Sequence, residues 1–165
     1  MGLAKNWNQG LEMGLTNEAL AILHADDVLK PNYVSSMQSA FCDFPTATAI
    51  FCKTAIINEE SEPVFSFADW YKTTLLPNEQ TIQLKGVKGI ECLIPGNFVF
   101  CPTLCFRTAL LKNERFNTSL KMVLDFELIL RILLKDELLV GLYQEPLYLY
   151  RRHQKNTTNT HTQSL

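Results

Sequence analysis

The chain lacks any apolar run of the roughly 18 residues that a membrane-spanning helix requires. It also lacks the basic start and apolar stretch of a secretory leader after Met1. Its five cysteines, Cys42, Cys52, Cys92, Cys101 and Cys105, form no Cys-x-x-Cys pair and are odd in number. That argues against a disulfide framework. Settings such as Ile50-Phe51-Cys52 predict reduced, buried thiols in a cytoplasmic protein. Cys101 and Cys105 are separated by Pro102 and have no neighbouring ligands that would complete a zinc site. There is no P-loop, no G-x-G-x-x-G, no H-E-x-x-H and no G-x-S-x-G. A large charge of either sign is missing too. Fifteen basic and 17 acidic residues leave a net charge of −2, which gives no reason to expect nucleic acid as a partner.

What remains is an ordinary globular composition. The 165 residues are 47% apolar and 19% charged, enough for one domain with a real core. The charge is unevenly spread. No acidic residue follows Glu145, whereas Arg151, Arg152 and Lys155 do, so the last 20 residues carry +3. Such an end could face a phosphate, an anionic membrane, or only water.

The apolar pattern predicts an α/β chain. Leu3, Trp7, Leu11 and Leu15 recur at steps of four and predict a helix over 3–16. The run Ala19-Leu20-Ala21-Ile22-Leu23 suits a strand buried on both faces in a parallel sheet. Pro31 suits the first turn of a helix reaching about Phe41. Residues 46–57 read as a second strand, and 58–63 as a turn. Residues 64–92 show no sustained period. Asn97–Cys101 reads as a strand and Phe106–Lys112 as a short helix. Leu124–Glu137 is predicted as a mostly buried helix with a polar stripe of Glu127, Arg131 and Lys135. Two short strands, 138–142 and 147–151, follow. The polar, Thr-rich residues 156–165 are expected to form a disordered tail.

Three features could carry chemistry. His24-Ala25-Asp26-Asp27 follows the first apolar strand, and ligands bind beyond the carboxyl ends of strands in open α/β sheets. Adjacent carboxylates there could hold Mg²⁺ or Mn²⁺, or could cap the next helix. Asp125 opens the helix at Leu124-Asp125-Phe126-Glu127, as a general base or again as a cap. Tyr150-Arg151-Arg152-His153 follows a strand. Paired arginines and a histidine suit a diphosphate, and the same residues would serve as a solvated basic edge.

Taken together, these segments resemble the family 2 glycosyltransferases of the GT-A fold. Lys5-Asn6-Trp7-Asn8-Gln9-Gly10-Leu11 is similar to the helix before that family's metal motif. Leu20 to Pro31 resembles its strand, its DxD-type motif and the D-D-x-x-x-P continuation. Phe100 to Arg107 resembles an acceptor-side segment. Asp125-Phe126-Glu127-Leu128-Ile129-Leu130-Arg131 resembles the D-x-E-L-x-x-R helix, and Glu145 to His153 the P-L-x-x-Y-R-x-H close. The likeness spans about residues 4–160.

The resemblance implies an inverting, metal-dependent transfer of a sugar from a nucleotide-diphosphate donor to a saccharide or lipid-linked acceptor. Asp26 and Asp27 would hold Mn²⁺ or Mg²⁺, with His153 as a further ligand or diphosphate contact. Arg151 and Arg152 would balance diphosphate charge, Asp125 would act as general base, and Arg131 would pair with Glu127. His24 stands where a strict D-x-D has aspartate, and Leu124 where many relatives carry an acid. The family's opening strand-helix-strand elements, which hold the nucleotide base and ribose, have no match here. Residues 1–155 therefore read as the C-terminal two-thirds of a catalytic domain, with a partial GT-A mixed sheet flanked by helices. Other readings stay open: an inactive remnant, a subunit whose fold another chain or a second copy completes, or an unrelated metal-binding α/β module. Peripheral membrane contact is compatible with the basic end.

Overall fold

The computed structural model describes residues 2–74, 79–111 and 113–152. In chain order its elements are α1 (Leu3–Gly14), β1 (Ala19–Ala21), β2 (Val28–Leu29), α2 (Tyr33–Asp43), β3 (Ala47–Cys52), β4 (Thr54–Ile57), α3 (Phe67–Thr74), β5 (Thr81–Lys85), α4 (Gly86–Leu93), β6 (Cys105–Arg107), α5 (Thr108–Leu111), α6 (Leu124–Leu134), β7 (Leu138–Leu142) and β8 (Tyr148–Arg151). A five-stranded mixed sheet has the order β1-β6-β3-β7-β5, and a three-stranded one the order β2-β8-β4. The α/β class with mixed sheets flanked by helices is as the sequence predicts.

In α1 the four-residue stripe supplies the buried face through Trp7 and Leu11, joined by Ala4, while Leu3 stays largely exposed. The run at 19–23 departs from expectation. Strand β1 covers only Ala19–Ala21 and pairs antiparallel with β6 at the edge of the large sheet. Leu20 is buried but Leu23 is half exposed, since an edge position covers only part of the strand.

The expected single strand at 46–57 is two strands, β3 and β4, that belong to different sheets with Lys53 between them. The chain makes the same passage from β7 to β8 through Gln144-Glu145-Pro146, so β3 runs parallel to β7 and β4 parallel to β8. Every residue of β3 is buried. Its alternation sends Ala49 and Phe51 into a core with Trp7, Phe106, Phe116 and Leu128. Ile50 and Cys52 enter a second core with Tyr33, Met37 and Tyr148.

The segment without a period folds as α3, β5 and α4. Gly86 opens α4 at φ +55, a left-handed conformation that glycine takes without strain. Asn97–Cys101 is irregular rather than a strand and leads into a 3-10 turn over Cys101–Thr103. Residues 106–112 were expected to be helical. Phe106 instead sits in β6 between β1 and β3, Thr108–Leu111 turns as α5, and Lys112 lies outside the described residues. Helix α6 stops at Leu134, because Asp136 takes φ 60 two residues later.

The thiols differ from the prediction in part. Cys52 and Cys105 are buried and Cys101 half-buried, but Cys42 and Cys92 are exposed. Burial pushes the Cys52 thiol up to about 12 and that of Cys105 to about 11. Among the described residues no helix is long and apolar enough to cross a membrane. His153 and the tail at 156–165 lie outside the described residues.

Candidate active site

Strand β1 ends at Ala21, and the chain leaves the sheet through Ile22, Leu23 and His24. A turn at Ala25-Asp26 follows, closed by the Asp27 N–H donating to the His24 carbonyl at 3.3 Å. This turn delivers Asp27 to the start of β2, where β2 pairs with β8.

The Asp27 side chain is fully enclosed, with 0% of its surface exposed. Its Oδ2 accepts the Tyr148 hydroxyl at 2.8 Å, and its Oδ1 accepts the Arg151 backbone N–H at 2.7 Å. His24 Nδ1 lies 3.6 Å from Oδ2. Burial raises the Asp27 carboxyl above its ordinary range, and the Arg151 N–H and Tyr148 hydroxyl pull it back only in part. The Tyr148 hydroxyl is itself pushed up by burial and by its bond to Asp27.

The His24 ring is fixed by stacking on Trp7, with centroids 5.5 Å apart and planes at 20°. Trp7 in turn sets its edge against Phe116 at 4.9 Å. His24 Nε2 is buried and has no hydrogen-bond partner. Ligand atoms of His24, Asp26 and Asp27 all lie within 4.8 Å of one another. The His24 imidazole and the Asp26 carboxylate could hold a divalent cation such as Mn²⁺ in the field of the buried Asp27 carboxyl.

Arg151 follows Tyr148 on β8 and turns its guanidinium away along the strand end. Nε donates to the Asp26 carbonyl at 2.8 Å. Nη1 donates to the carbonyls of Asn58 and Glu59, and Nη2 to the Ser61 hydroxyl at 2.9 Å. The Arg152 N–H donates to the Ile57 carbonyl at 2.9 Å, and its Nη1 to the Ser66 hydroxyl at 2.8 Å. Both arginines therefore fasten the 58–66 segment to β8.

Asp125 is the second residue of α6 and is half-buried. It lies close enough to Cys101 that its charge adds to the burial that holds that thiol protonated. Next to Cys101, the Phe100 ring contacts Tyr150 at 5.8 Å. The 100–101 segment thus connects the start of α6 to β8. Neither acidic feature caps a helix. The N-cap of α2 is Asn32 and that of α6 is Val123, each without a side-chain cap bond. Farther along α6, Glu127 takes Arg131 in a two-pronged pair at 2.9 and 3.0 Å, the structural pairing expected for Arg131.

The structure brings Asp26, Asp27 and Arg151 together and sets Arg152 beside them. It adds partners the sequence reading missed: Tyr148, the Trp7–His24 stack and the turn at 58–61. Tyr148 carried a usable signal, since an inward strand position otherwise rich in apolar residues holds a hydroxyl there.

No family model and no curated protein sequence matches the chain. Solved structures do match its fold. The S. aureus TarS 1–349 complex with UDP-GlcNAc superposes with a TM-score of 0.67 at 18% identity, over 96% of this chain and 41% of that one. The complex of the same protein with UDP gives 0.64 at 19% identity, over 93% and 41%. TarS 1–349 without a named ligand gives 0.62 at 20% identity, over 91% and 40%. The chain spans about two-fifths of the length of these structures, and the likeness is one of fold.

Proposed function

We propose that the chain carries the cation-binding and acceptor-facing part of an inverting family 2 glycosyltransferase that uses a nucleotide-diphosphate sugar. The observation that carries this reading is the match, over 96% of the chain, to a structure bound to UDP-GlcNAc. The ordered motifs from Lys5 to His153 support it from the sequence alone.

In this reading Asp26 is the main carboxylate toward Mn²⁺ or Mg²⁺, in the field of Asp27, with His24 adjacent. His153 follows Arg152 directly and would add a ligand or a diphosphate contact. When bound, the cation offsets the charge on the departing nucleotide diphosphate. The protein's own work is positional and acid–base. Asp125 accepts the proton of the acceptor hydroxyl as that oxygen bonds the anomeric carbon and the bond to the diphosphate oxygen breaks. Arg152 and the backbone around 58–61 supply positive and polar surface beside the diphosphate. The acceptor is a saccharide or a lipid-linked molecule, consistent with a basic end that could approach a membrane surface. The free thiols suit a cytoplasmic setting.

A second reading has its own support. Strand β1 pairs on one side only, with β6, among the described residues. A subunit whose sheet is extended at β1 by another chain would fit that open edge.

Thermal stability with Mn²⁺ plus UDP-GlcNAc, UDP, GDP or dTDP tests the donor reading. A ligand at 100 times its dissociation constant stabilises by about 2.7 kcal/mol. We expect a shift with at least one nucleotide, and none with any of them would overturn donor binding by this chain. Chromatographic mass at several concentrations tests the subunit reading, which a strictly monomeric, nucleotide-binding chain would contradict.

A further inference from the structure

We infer that Asp27 and Arg151 form a reciprocal clamp that sets the place of the Asp26 carboxylate, so that both are positioning residues rather than ligands of cation or diphosphate. The clause about Asp26 rests on the cation reading proposed above; the clamp itself rests on bonds within the chain.

Each half of the clamp holds the other. The Asp27 carboxylate fixes the end of β8 by accepting the Arg151 backbone N–H at 2.7 Å. The Arg151 side chain returns to fix the turn before Asp27, donating to the Asp26 carbonyl at 2.8 Å. Two neighbouring residues on one segment and one residue on β8 thus close a ring of hydrogen bonds. Asp27 is poorly placed to ligate a cation directly. Its side chain has no exposed surface, and each oxygen already has a donor. Arg151 is equally committed. A guanidinium offers five N–H donors, and four go to Asp26, Asn58, Glu59 and Ser61. At most one is left, too few for the paired contact by which arginine recognises phosphate. The clamp also reaches the second turn, where Ser61 is held at φ 68, a left-handed conformation unusual for a serine. Outer residues that orient metal ligands commonly change metal affinity by about 10–100-fold when lost.

The test uses the full chain with Asp27→Ala, Asp27→Asn and Arg151→Ala. Asparagine can still accept the Arg151 N–H through Oδ1 and can donate to the Tyr148 oxygen, so it retains the clamp while removing the charge. In amide hydrogen exchange, Asp27→Ala and Arg151→Ala should each speed exchange about tenfold or more in both 25–28 and 58–62, and Asp27→Asn should not. Unchanged exchange in Arg151→Ala, or equal damage from Asp27→Asn and Asp27→Ala, would overturn the clamp. Mn²⁺ titration by water-proton relaxation then tests positioning. Arg151→Ala should weaken Mn²⁺ about tenfold or more, and Asp27→Asn far less than Asp26→Asn. Mn²⁺ affinity unchanged in Arg151→Ala despite faster exchange would overturn the positioning role. A wild-type chain that binds no Mn²⁺ would instead overturn the cation reading and the role built on it, with the clamp judged by exchange alone.

Discussion

Two enclosed carboxylates of this protein live in opposite surroundings. Glu114, only 4% exposed, is met by the side chains of Arg131 and Lys135, and Arg131 is also held by Glu127. Asp27, 9% exposed, is met by a tyrosine hydroxyl, a backbone N–H and a histidine ring; among the described residues no lysine or arginine side chain pairs with its carboxylate. The first site is neutralised within the fold and ties the Glu114 segment to α6. The second leaves an enclosed carboxyl without a basic side chain to neutralise it at the end of a strand, with Asp26 next to it. An electrostatic arrangement that folding alone would not favour supports the cation reading proposed above. The same contrast separates Arg131, which serves one helix and its neighbour, from Arg151, which fastens two turns around the candidate site.

Four changes probe this contrast, in falling order of expected effect. Glu114→Ala should cost about 3 kcal/mol in urea unfolding, at the low end for a broken buried pair because Arg131 and Lys135 retain part of their water. Asp27→Ala should cost about 1–3 kcal/mol, since it leaves the Arg151 N–H and the Tyr148 hydroxyl without their acceptor. Asp27→Asn should fall within about 1 kcal/mol of wild type at neutral pH, because the amide keeps both bonds and removes an uncompensated buried charge. Lys85→Ala should change stability by less than about 0.5 kcal/mol, as its 3.4 Å pair with Asp136 is largely exposed.

The pH dependence sharpens the same comparison. The folded-state pKa of Asp27 is raised, so the folded protein binds that proton more tightly than the unfolded chain. Its favourable contribution is complete below the ordinary value of 3.8 and is lost as pH rises through the raised folded value. Wild-type stability measured against Asp27→Asn should therefore decline across that window and stay level above it. A difference that grows with rising pH would mean that a cationic group neutralises Asp27 after all.

Much of this is legible in the sequence. The four-residue stripes at Trp7–Leu11 and Glu127–Arg131 specify their helices, because periodicity along one face is a local property. The α/β class is legible for the same reason. The edge position of β1, and the split of 46–57 into strands of two sheets, depend on which distant segments pair, and no local pattern reports that. Within the site, the juxtaposition of Asp26 and Asp27 was visible, but their unlike surroundings were not. Asp27 is enclosed because β8, some 120 residues later, brings Tyr148 and the Arg151 N–H across it. The two arginines looked alike as charges in a row. Their side chains are directed by carbonyls of the 58–61 turn and by Ser66, some 90 residues earlier in the chain.

The most direct measurement of the central claim is calorimetric titration of UDP-GlcNAc into the wild-type chain and Asp26→Asn, each with and without Mn²⁺. The account predicts that Mn²⁺ strengthens binding to the wild type and leaves Asp26→Asn unaffected, with folding intact in both. Equal strengthening in the two proteins, or no binding by the wild type under either condition, would contradict it.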